Sequence, residues 1–470
     1  MSYLYTDLAN QFARSINQGL YKGGDRIPAV RSTSLTTGVS PATVVAAYRH
    51  LELEGYIESR PRSGFYVRTR LANTLAEPQL SNVTPKPKPV TGQEHVLRLI
   101  QQISRPNLVQ FGANVAAPCF LPTLEISKAL AKVSQRQRKW SATYEVPPGL
   151  LQLRHTIARR MAELGNICSP DDVIITNGCQ EALYLSLKSK TQVGDIVAVE
   201  SPTYYGLLQI IDALGLKALE IPTDPKLGIS VSALELALEQ WPIRACIVSA
   251  NFSNPLGALM PEKNRQGLVD LINSYPNLTL IEDDIYGDLN FEQRRPSILQ
   301  SLDTKKNIIY CSSFSKTLAP GLRIGWIVTK RDHQRLEYEK FVTNCATPTV
   351  NQMAVAELVS SGKYNRHLKG MRIALQQAMS KLTDRVHQHL PASTKVTRPI
   401  GGMALWLEFD KRVSAIELSE QALSHGISIA PGPIFSSSGK YKNCIRMTCA
   451  IEWNTKVERA LEQLGQLVRS

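Results

Sequence analysis

The sequence has no apolar run long enough to cross a bilayer, and its cysteines never come in close pairs. The first lack excludes a membrane-spanning helix, which needs about 20 consecutive apolar residues. The start, MSYLYTDLANQFARSINQGL, has a helical amphipathic pattern with Asp7 inside it, so it also lacks a secretory apolar core. A cytoplasmic protein without a membrane partner is expected. All eight cysteines are scattered singly, with no CxxC and no His/Cys cluster at zinc spacing. That argues against a disulfide framework or a metal site and for reduced thiols in cores or sites. No internal repeat is visible, and only one segment is of low complexity.

With 470 residues, the chain is too long for one ordinary core and suits a small domain plus a large one. Its formal charge of +14 invites a nucleic-acid partner, but such an excess can also be spread over solvated faces. The clearest boundary is compositional. Residues 71–95 carry four prolines, three of them in Pro85-Lys86-Pro87-Lys88-Pro89, and few large apolar groups. Proline removes backbone donors, so this stretch is expected to be an extended, semi-rigid tether. At about 3.1 Å per residue it would reach at most ~75 Å. It divides the chain into a head, 1–70, and a body, 96–470, whose smaller C-terminal part is expected over about 335–470.

In the head, Leu4, Leu8, Phe12 and Ile16 recur every four residues and predict one buried helical stripe, ended by Gly19. A short helix follows Pro28, and Gly38 makes a turn. Ser40 is a good N-cap with Pro41 at the first helical position, and Val44, Ala47, Tyr48 and Leu51 form the inward face of a third helix. Tyr56-Ile57-Glu58 and Phe65-Tyr66-Val67 predict two strands around the turn Arg60-Pro61-Arg62-Ser63-Gly64. Helix, helix, turn, helix and hairpin is the order of a winged helix.

The body alternates short Val/Ile-rich strands with helical stretches: 172–178, 195–201, 245–251, 278–284, 307–314 and 323–329. Such runs predict an α/β fold with a mostly parallel sheet, covered on both faces, that gathers ligands at the carboxyl ends of its strands. At one such end stands Ser312-Ser313-Phe314-Ser315-Lys316-Thr317, with Arg323 seven residues after the lysine. A lysine there, flanked by the hydroxyls of Ser313 and Ser315 and by a guanidinium, suits a Schiff base with pyridoxal 5'-phosphate (PLP) whose phosphate needs neutralising. Gly178-Cys179-Gln180 opens a helix after a strand, where free N–H groups and the helix dipole suit a phosphate.

Two resemblances rest on these segments. Arg26-Ile27-Pro28-Ala29-Val30-Arg31, the turn Gly38–Val44 and the stretch Tyr48–Ile57 resemble the GntR family of winged helices. The chain departs from that family at Thr33 and Ser34, where an apolar residue and alanine are usual. A recognition helix enters the major groove by its N-terminal end, so Ser40, Ala42, Thr43 and Arg49 are candidates near DNA. Arg31, Arg60 and Arg62 are candidates for phosphates, against the bland reading of solvated surface charge. Tyr48 reads as core.

The body resembles fold-type I PLP-dependent aminotransferases over roughly 110–470. That resemblance implies that Asp283 faces the pyridine nitrogen, that Tyr286 and Asn254 reach the ring hydroxyl, and that Tyr204 stacks on the ring, with Tyr205 the competing assignment. It implies that Cys179 stands where relatives usually carry serine, and that Arg446 clamps an α-carboxylate, against a purely structural arginine. Tyr144 matches a tyrosine that reaches the phosphate in a second subunit, which implies a homodimer. Head, linker and body together look like the MocR branch of GntR regulators. What that branch implies is a PLP-bound, head-to-tail dimer whose heads bind operator DNA and whose response depends on PLP or an amino compound. A working aminotransferase carrying a DNA-binding head is the main alternative, and a PLP-free scaffold is a third reading.

Overall fold

The computed structural model describes residues 4–17, 20–22, 24–53, 56–60, 63–67, 75–79, 81, 85–103, 105–139, 142–292 and 294–469. Gly19, Pro61, Arg62 and part of the predicted linker lie outside the described residues, as does the side chain of Arg60.

The head is built from α1 (Leu4–Asn17), α2 (Val30–Thr37), α3 (Pro41–Leu53), β1 (Ile57–Arg60) and β2 (Gly64–Val67). The two strands form an antiparallel wing in the register Ile57↔Val67 to Arg60↔Gly64. Val44, Ala47, Tyr48 and Leu51 are fully buried along α3, as the pattern predicts. On α1 the buried row is Leu8, Ala9 and Ala13, whereas Leu4 is 70 % exposed. A strict four-residue spacing advances about 40° per step around a helix with 3.6 residues per turn, so one end of such a row rotates off the core.

The departure at Thr33 has a physical resolution. Thr33 is buried, its Oγ1 lies 2.5 Å from the Tyr48 hydroxyl, and that hydroxyl donates to the Pro28 carbonyl at 2.8 Å. A buried hydroxyl is tolerated when it is paired. Ser40 caps α3, accepting from the Thr43 amide at 3.1 Å. Gly38, at φ 72°, ends α2 in the left-handed conformation that glycine adopts without strain.

The body centres on an eight-stranded sheet. After the outlying β3 (Val109–Gln110) its strands are β4 (Val173–Thr176), β5 (Ile196–Ser201), β6 (Lys217–Asp224), β7 (Gly228–Ile229), β8 (Ile243–Val248), β9 (Thr279–Asp283), β10 (Ile308–Ser313) and β11 (Gly325–Val328). They lie in the order β4-β11-β10-β9-β8-β5-β6-β7. The central pairs are parallel, while β11 runs antiparallel to both its neighbours. Apolar side chains from opposite strand faces feed separate clusters, one with Val197, Val199, Ile247 and Ile281, another with Ala198, Cys246, Val248 and Leu280. Burial on both faces is why these strands read as continuous apolar runs. Strand β6 was not among the predicted strands, because Glu220 and Pro222 interrupt its apolar run.

Four helices precede or line the site: α4 (Gln93–Ile103), α5 (Thr123–Arg136), α6 (Leu151–Glu163) and α7 (Cys179–Lys190). Beyond the sheet, β12 (Lys395–Val396), β13 (Ala404–Glu408), β14 (Ile427–Ser428), β15 (Ala430–Pro431) and β16 (Cys444–Thr448) follow. β12, β13, β16 and β15 form an antiparallel sheet, and β14 pairs with β3.

The free tether expected over 71–95 does not hold for its described part from Leu75 onward. Lys88 exchanges two backbone hydrogen bonds with Ala218 of β6, each 2.9 Å, and Val90 is buried against the core beneath. Glu77 pairs with Arg398 and Lys226, and Ser81 bonds Thr223 through both backbone and side chain. Proline removes only its own donor. Lys88, between Pro87 and Pro89, keeps its N–H and extends the edge of β6. Among the described residues, no helix is long and apolar enough to cross a membrane.

Candidate active site

Three strand ends deliver the site. β9 ends at Asp283, β10 runs beside it in parallel with Cys311 opposite Asp283, and the chain then turns through Phe314 to Lys316. β4 turns through Gly178, at φ 82°, directly into α7. A Cβ on Gly178 would stand 2.5 Å from Arg323 Nη2, so only glycine lets that guanidinium lie over the helix start. Arg323 donates to the Asn177 carbonyl at 2.6 Å. Ser315 N donates to Ser313 Oγ at 3.3 Å, which places both hydroxyl residues in the same turn.

Lys316 Nζ donates to the Asn114 carbonyl at 2.6 Å and stands 5.9 Å from the centre of the Tyr286 ring. The Asn114 side chain donates to the Tyr286 hydroxyl at 2.6 Å. Cys179 Sγ donates to Asp283 Oδ1 at 3.4 Å. Arg446, fully buried in the middle of β16, donates to Asn254 Oδ1 at 3.4 Å and to the Gly112 carbonyl, and its guanidinium lies 5.5 Å from the Phe435 ring centre. Gln180 turns its amide to the Gly206 carbonyl at 3.0 Å, so its side chain is committed and its backbone N–H remains at the helix start.

Electrostatics follow from burial. Burial, with Arg446 beside it and Arg323 near, lowers Lys316 to about 8, against an ordinary 10.5. Burial raises Asp283 to about 6, although the Cys179 thiol and Lys316 work against the rise. Burial, with Tyr205, Tyr286 and Asp283 around it, holds the Tyr204 phenol well above its usual value. Tyr204 and Tyr205 are 4.9 Å apart, but Tyr205 is packed against Phe435 in an apolar cluster with Trp406.

Behind the lysine lies a buried ion network absent from the sequence reading. Asp288 accepts from Arg160 and Arg295, each at 2.7 Å, and from the Tyr364 hydroxyl at 2.8 Å. Tyr364 in turn bonds Thr317 Oγ1, and His367 meets the Thr317 carbonyl, fixing the residue after Lys316. Burial alone would raise Asp288, yet the two guanidinia outweigh it and hold the carboxyl below the usual range.

The structure therefore brings Lys316, Asp283, Tyr286, Cys179, Tyr204, Asn254, Ser313, Ser315, Arg323 and Arg446 to one end of the sheet. Tyr144 is 81 % exposed, and no hydrogen bond among the described residues links it to this cluster. Asn114 was missed: it touches both Lys316 and Tyr286, but it sits in Phe111-Gly112-Ala113-Asn114, a segment with no distinguishing pattern. In the head, Arg31, Ser40, Ala42 and Arg49 are exposed and Thr43 is half-buried, its hydroxyl 2.8 Å from Ser40 Oγ.

Residues 106–464 match the family model of class I and II aminotransferases, and residues 4–67 that of the bacterial regulatory proteins of the gntR family. The chain is 39% identical to the uncharacterized HTH-type transcriptional regulator YjiR of Escherichia coli, over 99% of this chain and 98% of that one. The chain belongs to the class I and II aminotransferase family and carries an N-terminal gntR-family head. YdcR of the same organism, another uncharacterized HTH-type regulator, is 38% identical over 99% of both chains. Among solved structures, the α-aminoadipate aminotransferase LysN of Thermus thermophilus, complexed with N-(5'-phosphopyridoxyl)-L-leucine, is similar with a TM-score of 0.74 and 28% identity, covering 80% of this chain and 94% of that one. The regulator thus shares its body with enzymes and its whole length with HTH-type regulators.

Proposed function

We propose that this regulator holds PLP at Lys316 and uses the site to sense PLP or an amino compound, changing the grip of its heads on operator DNA. The observation that carries this reading is the convergence of Lys316, Asp283 and Arg446 in a chain that also bears a gntR-family head. The donor set suits PLP. Arg446 Nε, Asn114 Oδ1 and Ser253 Oγ are buried without hydrogen-bond partners, and a native site rarely leaves such groups unpaired unless a ligand meets them.

PLP, when bound, supplies an aldehyde for amines and an electron-withdrawing ring. The N–H groups of Cys179 and Gln180 after Gly178, with Arg323 and the hydroxyls of Ser313 and Ser315, would hold its phosphate. Asp283, ionised above about pH 6, would hold a proton on the ring nitrogen. Tyr204, whose phenol lies among Tyr286, Asp283 and Cys179, would stack on the ring. Tyr286 and Asn254 would reach the ring hydroxyl. Arg446 would pair with a carboxylate of the amino compound, and Lys316 Nζ, at about 8, would accept and return a proton near neutral pH.

A route from ligand to linker supports the sensor reading. Phe435, against Arg446, begins the segment whose Ser436 and Ser437 bond the buried Glu220. The Ser437 carbonyl accepts from both the backbone and the hydroxyl of Thr91 in the linker. A carboxylate seated on Arg446 would bear on the segment that holds the linker, and a population shift would need that contact to differ between two states.

In the head, Arg31, Arg60 and Arg62 would contact phosphates, with Ser40, Ala42, Thr43 and Arg49 near base edges. The exposed Tyr144 is free to serve a second copy, as a head-to-tail homodimer would use it. We take 1–70, 71–95 and 96–470 as head, linker and body of a cytoplasmic protein.

The test is the visible absorbance of the full chain with PLP and its DNA affinity with and without amino acids, in wild type and Lys316→Ala. Colour in the wild type alone, with a DNA affinity that shifts on adding an amino compound, is expected. Steady transamination with an unresponsive DNA affinity would instead establish the second reading, an aminotransferase with a localising head, which the complete set of Lys316, Asp283 and Arg446 keeps in play.

A further inference from the structure

At the opposite, amino end of the sheet, a cavity of about 140 Å³ is lined by Lys190, Arg244, Lys306 and Arg331, with Thr279 and Asn307 between them. The four cations come from separate elements. Lys190 ends α7, Arg244 is near the start of β8, Lys306 precedes β10 and Arg331 follows β11. Two guanidinia are fixed. Arg331 donates to Asn307 Oδ1 at 2.9 Å and to the Lys305 carbonyl at 2.7 Å, and Arg244 Nε donates to the Lys190 carbonyl at 3.2 Å.

Those bonds use only part of each fork, and Arg244 keeps both its Nη groups. Lys190 pairs with Asp332, but among the described residues no carboxylate pairs with Arg244, Lys306 or Arg331. Three cations around one small cavity without counter-charge repel one another, and an anion relieves that repulsion.

We propose that this cavity binds a phosphate group, at a site separate from the Lys316 cluster and across the sheet from it. The volume lies well below the roughly 300–1,000 Å³ of pockets that bury organic ligands, so it suits a single tetrahedral oxyanion. Planar guanidinia match two phosphate oxygens at once, and an ammonium adds an untethered point charge. The phosphate has two possible sources: the free ion, or the backbone of the DNA that the heads bind.

The experiment uses the full-length chain saturated with PLP, so that the phosphate cradle beside Arg323 is already filled. Inorganic phosphate is titrated by calorimetry at low ionic strength into wild type and into Lys306→Gln and Arg244→Gln, singly and together. In parallel, DNA affinity is measured against salt concentration. Saturable binding of one phosphate per chain, weakened about tenfold or more in each variant, supports the site with the free ion as its ligand. No phosphate heat, but a salt slope smaller by about one per removed cation, supports it with DNA as the source. Neither effect, in variants whose PLP absorbance is intact, overturns the proposal. No ion pair among the described residues holds Lys306, so Lys306→Gln keeps the test valid even if Arg244→Gln fails to fold.

Discussion

At the scale of single residues, the site works by burial set against charge. Lys316 is the clearest case: burial and the nearby Arg446 and Arg323 disfavour its ammonium and lower it to about 8. Below that pH Nζ carries a proton and has no lone pair to offer, and above it the amine is free. The rate at which the PLP-free regulator captures PLP should therefore rise about tenfold per pH unit up to about pH 8 and flatten above it. An ordinary lysine would keep rising towards 10.5. Stopped-flow absorbance checks this, and a midpoint near 10 would refute the burial argument. Asp288 shows the opposite balance, since Arg160 and Arg295 outweigh its burial. Its stabilising contribution is present above the ordinary carboxylate pKa of about 3.9 and is lost as pH falls below it. Asp288→Asn should lower unfolding stability by about 3–5 kcal/mol in urea titrations, because it leaves the largely buried Arg160 without its carboxylate, while Arg295 keeps Asp284.

At the scale of elements, the turn from β4 into α7 is the most constrained piece of backbone. Gly178 combines a positive φ with an approach of 2.5 Å from the Cβ position to Arg323. Gly178→Ala would strain the turn by about 1–3 kcal/mol and push the guanidinium off the helix start. PLP affinity should fall about 10-fold to 100-fold, while DNA affinity in the absence of ligand stays unchanged. Fluorescence titration with PLP measures the first, and a gel-shift assay the second. The strands that carry the site were legible in the sequence because they are buried on both faces and so read as continuous Val/Ile runs, as Val173–Thr176 and Ile308–Ser313 show. Strand β6 was not legible, since its Glu220 faces a nest of donors from Ser201, Ser436, Ser437 and Lys440 that lie far away in the chain.

At the scale of the whole molecule, the question is how a ligand on one part reaches another. The linker residues from Leu75 onward are held on the body through Glu77, Ser81, Lys88 and Thr91, contacts through which the proposed signal would pass. Thr91→Val removes one hydroxyl donor to the Ser437 carbonyl and conserves volume. The PLP absorbance should be retained, while the effect of an amino compound on DNA affinity shrinks about fivefold, the worth of one hydrogen bond. An unchanged response in DNA titrations would show that the signal does not pass through this contact.

Features that depend on local pattern are legible in the chain alone: the helix starts and turns of the head, the parallel strands, and the residues that follow their ends, from Gly178 to Lys316. These depend on periodicity, on glycine where φ is positive, and on capping, all of which are written within a few neighbouring positions. The remaining features come from packing between segments far apart in the chain. Asn114 meets Tyr286 and Lys316, Asp288 braces the turn after the lysine, Tyr205 is committed to Phe435, and Lys88 joins the edge of β6 between two prolines. Each of these is a contact between segments distant in the chain, and its partner is fixed by how the layers pack rather than by any spacing within the sequence.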